Sequence, residues 1–195
     1  MVKKIDALLK LQKSGRNIFS LVDLQKLLRI ENENTAYIQA NRLTNDGILE
    51  RIVKGVYCLK DSRPGDFETA NFLCKPSYIS LESALAYYGI LLQVPHSITS
   101  VTPKRAKKIS SQGKEFVYSH LAQNYYSDYV RDKHFIIATP EKAIIDIVFF
   151  ACYGRTVIHP EEWFWDNVNK KRLKKVSAAI KSRNFHNFFN SLKLY

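Results

Sequence analysis

Between residues 34 and 46 the chain carries Asn34, Thr35, Ile38, Gln39, Asn41, Arg42 and Asn45, and no glutamate. Wound at 100° per residue, Asn34, Ile38, Asn41, Arg42 and Asn45 fall on one side of a helix, with Thr35 and Gln39 flanking them. Ala36, Ala40 and Leu43 fall on the other side, with Tyr37 and Thr44 at its edge. Amides and a guanidinium are the groups that pair bidentately with adenine and guanine edges in the DNA major groove, and Ile38 suits a thymine methyl. A helix face that is merely solvated carries glutamate and lysine more often. The pattern predicts a base-reading surface.

The flanking residues predict the elements that hold this face. Leu21, Leu24, Leu27 and Leu28 repeat at three and four, as on a one-sided helix, and Ser20 suits its N-cap. A polar break at Glu31-Asn32-Glu33 precedes the second helix, and Gly47 ends it. Two short runs, 48–53 and 56–59, then pivot on Lys54-Gly55, a hairpin signal. An earlier helix over 2–13 should turn Ile5, Leu8, Leu9 and Leu11 inward. Helix, turn, helix, hairpin is the order of a winged helix. Arg51 and Lys54 on the hairpin, with Lys13, Arg16 and Lys26 around it, are placed to hold phosphates, contacts that set register rather than sequence.

A stretch rich in breakers and charge, Lys60-Asp61-Ser62-Arg63-Pro64-Gly65, predicts a boundary between a winged-helix domain of residues 1–62 and a second domain of residues 63–195. The second domain reads as α+β, with helices over 66–74 and 80–89, strands near 97–101, 115–119 and 134–138, and a capped apolar helix from Thr139 to Ala151. Two or three helices follow. The fold class expected for the whole chain is therefore α+β.

Charge points to a polyanionic partner. The net charge is +12, and it is uneven: residues 1–63 hold 12 Lys/Arg against 7 Asp/Glu, residues 64–153 hold 9 against 8, and residues 154–195 hold 9 against 3. Lys104, Arg105, Lys107 and Lys108 form one basic cluster. Lys170, Lys171, Lys174 and Lys175 surround the apolar stripe Leu173, Val176 and Ile180. Either cluster is a second basic surface or a solvated helix or loop face. No run approaches the roughly 18 apolar residues of a membrane span, so no membrane partner is expected. The N-terminus, with its early Asp6, does not read as a signal peptide. Cys58, Cys74 and Cys152 stand apart, with neither a disulfide framework nor a zinc spacing, which suits a reducing cytoplasm.

Catalysis finds little support. The histidines His96, His120, His134, His159 and His186 show no metal spacing, and there is no P-loop or nucleophile elbow. Glu141 reads as a helix-start residue and Asp146, amid Ile144-Ile145 and Ile147-Val148, as a hydrogen-bonded core anchor. No enzyme activity, cofactor or metal is expected.

Several segments together resemble the AbiEi-type antitoxins, transcriptional regulators paired with nucleotidyltransferase toxins in type IV, abortive-infection phage-defence systems. They are Leu43-Thr44-Asn45-Asp46-Gly47-Ile48-Leu49-Glu50-Arg51-Ile52-Val53-Lys54-Gly55-Val56-Tyr57, then Tyr78-Ile79-Ser80-Leu81-Glu82-Ser83-Ala84-Leu85-Ala86-Tyr87-Tyr88-Gly89, and two Thr-Pro segments, Ile98-Thr99-Ser100-Val101-Thr102-Pro103-Lys104-Arg105 and Ala138-Thr139-Pro140-Glu141-Lys142-Ala143-Ile144-Ile145-Asp146. The resemblance covers about residues 5–150. It implies a repressor that binds double-stranded DNA repeats in its own promoter, as monomer or dimer. It also implies that the repressor counters a toxin encoded nearby without a stable complex. The rival expectation is an RNA- or protein-binding module that neutralises a toxin without specific DNA reading.

Overall fold

The computed structural model describes residues 4–194, so the expected helix start at Val2 lies outside the described residues. The protein is α+β, with eight α-helices among those residues, a three-stranded sheet and a mixed six-stranded sheet. It divides into two compact units between Gly65 and Asp66.

The first unit contains α1 (Lys4–Lys13), β1 (Ile18–Ser20), α2 (Leu21–Leu28), α3 (Glu33–Asn45), β2 (Leu49–Val53) and β3 (Val56–Leu59). Its sheet runs β1-β3-β2, antiparallel throughout. β1 is absent from the sequence expectation. Ile18 and Phe19 are both buried, so a three-residue strand shows no alternation to read. The stripe expected on α1 is also corrected. Ala7 and Leu11 are the buried residues, whereas Ile5 and Leu9 are 72% and 49% exposed. Both lie about 200° round the helix from Ala7, on its far side. The remaining core joins Leu24 and Leu28 of α2, Ala36, Ala40 and Leu43 of α3, and Leu49 and Tyr57 of the hairpin.

The second unit contains α4 (Asp66–Leu73), β4 (Tyr78–Ile79), α5 (Leu81–Tyr87), β5 (Ser97–Thr102), β6 (Lys107–Ser111), β7 (Lys114–His120), β8 (Tyr129–Asp132), β9 (Phe135–Ala138), α6 (Pro140–Cys152), α7 (Lys170–Ala178) and α8 (Arg183–Ser191). The sheet order is β6-β7-β5-β4-β9-β8. β4, β6 and β8 are missing from the sequence expectation: β4 has two residues, and β6 is a lysine-bearing edge strand with no apolar alternation. Register places Tyr78 opposite Val101, and Val101 beside Ser119, so Tyr78 and Tyr118 face opposite sides of the sheet. The Tyr118 hydroxyl donates to the carbonyl of Ala70 on α4 at 2.7 Å, while the Tyr78 hydroxyl reaches α6 on the other side.

That reach ends on Asp146. Its Oδ2 accepts from the Tyr78 hydroxyl at 2.9 Å and the Ser80 hydroxyl at 2.8 Å, and its Oδ1 is paired with the Lys142 ammonium one turn earlier. Both charged side chains are about 1% exposed. Ser80 sits at the N-cap position of α5, but its hydroxyl serves Asp146 instead of the helix. Burial, with the Asp146 carboxylate next to it, raises the Tyr78 hydroxyl far above its ordinary pKa and keeps it a donor. Glu141 is more than a helix-start residue: it is buried, accepts from the Asn169 N–H at 2.9 Å and faces Arg172 at 3.6 Å, which ties α7 to α6.

Both tryptophans of the chain, Trp163 and Trp165, lie in this unit, so their fluorescence follows its unfolding. Asp146→Ala leaves a buried ammonium and two hydroxyls without their acceptor and should cost about 3–5 kcal/mol in urea denaturation. Asp146→Asn keeps an acceptor but strands the charge, and should fall in between. An unchanged midpoint in Asp146→Ala would remove this network from the fold's support.

Candidate nucleic-acid interface

The geometry of α3 follows from how it is capped and packed. The Asn32 side chain accepts from the Asn34 N–H at 2.8 Å and the Thr35 N–H at 3.4 Å, which fixes the first turn. At the far end, Gly47 adopts φ +74°. Its N–H bonds the Thr44 carbonyl and the Ile48 N–H bonds the Leu43 carbonyl, so the helix closes on an apolar contact between Ile48 and Leu43. Lys4 of α1 donates to the carbonyl of Asp46 at 3.0 Å. Ala36, Ala40 and Leu43 are each about 1% exposed and pack toward α2.

The opposite face is open. Asn34, Thr35, Asn41, Arg42 and Asn45 are exposed, and none of their side chains has a partner among the described residues. Ile38 is 69% exposed, an apolar side chain that water does not favour. Gln39 does not belong with them. It is 5% exposed, because its position lies only about 40° from Leu43 and 60° from Ala36, inside the packed arc. The expectation that Gln39 flanks the outward face is corrected on that ground.

On the hairpin, Lys54 is exposed at the tip and Gly55 takes φ +77°. The carbonyl of Gly55 accepts from the Leu21 N–H at 2.9 Å, and β1 pairs Ser20 with Val56, so the tip is fastened beside the start of α2. Arg51 is exposed on β2, across from Tyr57. Lys13 and Lys26 are exposed as expected. Arg16 is already engaged: its guanidinium pairs with Asp23 at 2.9 Å. Asp23 also accepts from the Ser20 N–H at 2.9 Å while its own N–H bonds the Ser20 hydroxyl at 3.1 Å, a reciprocal cap on α2.

One residue that sequence reading passed over is Arg29. It ends α2 in the left-handed region at φ 55°, where glycine is the usual occupant, and is exposed in the turn that leads into α3. Glu31 and Glu33 are exposed nearby, so this end of α3 carries mixed charge.

The two further basic clusters differ. Lys107 donates to the Leu73 carbonyl at 3.1 Å and its ammonium lies 5.4 Å from the Tyr118 ring centre, while Lys108 faces Glu115 at 3.5 Å. These two lysines dress an edge strand. Lys104 and Arg105 are exposed in the loop before it. On α7, Leu173, Val176 and Ile180 are buried and Lys170, Lys171, Lys174 and Lys175 are exposed. Among the described residues no cluster of three or more His, Cys, Asp or Glu side chains could hold a metal, and no helix is long and apolar enough to cross a membrane.

No protein-family model matches the chain, and no curated protein matches it.

The reciprocal cap is the local feature most open to test. Ser20→Ala should cost about 1 kcal/mol, and amide exchange in the first turn of α2 should speed up while α6 is unaffected. Equal exchange in both proteins would mean that packing alone holds α2 in place.

Proposed function

We propose that the protein is a DNA-binding transcriptional repressor of the AbiEi antitoxin type. On this reading its first unit is a winged helix, with α3 as the recognition helix and the β2–β3 hairpin as the wing. The observation that carries the reading is the face of α3: three asparagines, a threonine and an arginine, exposed and with no side-chain partner among the described residues. Asn34, Asn41 and Asn45 offer the donor–acceptor pair that matches adenine, and Arg42 the fork that matches guanine. Ile38 sits among them with a methyl-seeking surface. The tip of the hairpin, with Lys54 and the exposed Arg51, supplies positive charge for the phosphate backbone. Net charge of +12 favours a polyanion as partner. Repression of its own promoter, and the countering of a nucleotidyltransferase-like toxin without a stable complex, come from the resemblance of the segments around Leu43–Tyr57, Tyr78–Gly89 and the two Thr-Pro motifs.

Duplex DNA carrying the promoter repeats and a scrambled duplex separate reading from mere attraction. Arg42→Ala should cost about 1–3 kcal/mol on the promoter duplex and much less on the scrambled one. Equal losses on both would make Arg42 a phosphate contact. Arg51→Ala with Lys54→Ala should weaken both duplexes alike and flatten the salt dependence by about one to two units of slope. An unchanged slope would take the hairpin off the DNA. Preference for an RNA of the same sequence over the duplex would favour the rival RNA-binding module.

A further inference from the structure

The second unit has a groove that the DNA reading does not use. It lies on the sheet face that carries α5 and α6, where β5 and β7 run out from under those helices, and has a volume of about 510 Å³. That size suits a small organic molecule. Val117, Leu81 and Phe150 give it an apolar floor.

Three charged or titratable residues from separate elements line the groove. Arg155 follows the end of α6, anchored by its own N–H to the Phe150 carbonyl at 3.0 Å, with its guanidinium 5.7 Å from the centre of the Phe150 ring. It has no carboxylate partner among the described residues. Glu82, on α5, is half-buried, and among the described residues the one side chain bonded to it is Thr156, at a long 3.4 Å. His120, at the end of β7, contacts the Lys104 carbonyl through Nδ1 at 3.0 Å. A carbonyl only accepts, so Nδ1 carries the hydrogen and Nε2 is the acceptor nitrogen of the neutral ring. Ser119 adds a half-buried hydroxyl with no partner among the described residues, whereas the Thr99 hydroxyl is already spent on the Ser80 carbonyl and the Ser83 N–H.

These groups ask for opposite things. A guanidinium over an aromatic ring takes an oxyanion, and a half-buried carboxylate takes N–H donors. We propose that this groove binds a small molecule with an oxyanion at one end and an amine or amide donor at the other. Arg155 holds the oxyanion and Glu82 the donor, the Ser119 hydroxyl orients the body between them, and the apolar floor carries its carbon skeleton. A mononucleotide, through its phosphate and exocyclic amine, and a dipeptide, through its carboxylate and ammonium, both present this chemistry. Neither depends on DNA binding by the first unit.

NMR titration of the full-length protein distinguishes them, with adenosine monophosphate, alanylglutamine and inorganic phosphate added separately and no DNA present. At least one of the two organic probes should shift the amides of Glu82, Val117, Ser119 and Arg155 saturably, and the one that does identifies the source of the oxyanion. Arg155→Gln and Glu82→Gln should each weaken that binding roughly tenfold or more, since each removes a charged hydrogen-bond partner. Arg183→Gln, an exposed arginine on α8, should leave it unchanged. Well-dispersed spectra of the variants will verify folding, and Arg155→Lys should retain part of the affinity. Failure of both organic probes to saturate those amides overturns the proposal. So does undiminished affinity in Arg155→Gln, or binding of inorganic phosphate as tight as that of either organic probe.

Discussion

The close packing of two alanines sets what the first unit can offer a partner. Ala36 and Ala40 carry no more than a methyl group, so α3 beds down against its neighbours with those positions and Leu43 shut off from water. A helix has only one circumference. Once that arc is inside, Asn34, Ile38, Asn41 and Arg42 are outside, whatever their own preferences. The caps then fix the length of the presented face: Asn32 at its start, and the left-handed Gly47 with the Ile48–Leu43 contact at its end. Larger side chains at 36 or 40 would overpack this contact and shift the whole face.

The second unit depends on a different kind of constraint, a charge pair taken out of water. Desolvating Lys142 and Asp146 is costly, and their attraction offsets that cost only because two further hydroxyls satisfy the carboxylate. Those hydroxyls belong to Tyr78 and Ser80, on and just after a central strand of two residues. So short a strand has little ladder of its own. The network therefore fixes α6 over β4 by geometry, and α5 starts from the same point. The same unit carries the groove lined by Glu82, His120 and Arg155.

Much of this was legible in the sequence where periodicity or capping chemistry is local. The leucines of α2, the alanine stripe of α3, the Lys54-Gly55 turn and the Thr139-Pro140 helix start each announce themselves within a few residues. What escaped was decided by distance. Ile18–Ser20 is a strand because Val56–Cys58 lies alongside it, and no three-residue window states that. Gln39 is an amide among amides in the sequence, yet its angular position places it with Leu43. Asp146 was legible as a core anchor from its apolar neighbours, but Tyr78, sixty-eight positions away, was not recognisable as its partner. Nor does sequence spacing bring Glu82, His120 and Arg155 to one groove, since they come from α5, β7 and the segment after α6.

Selection of binding sites from a pool of randomised duplex DNA tests the central claim most directly, because it assumes no operator. The full-length protein should enrich one recurrent motif containing adenine and guanine positions. Asn41→Ala combined with Asn45→Ala should lose or relax that motif while still retaining DNA in proportion to charge. Recovery of a pool no different from its input, or of an identical motif by the wild type and the doubly substituted protein, would contradict a base-reading role for α3.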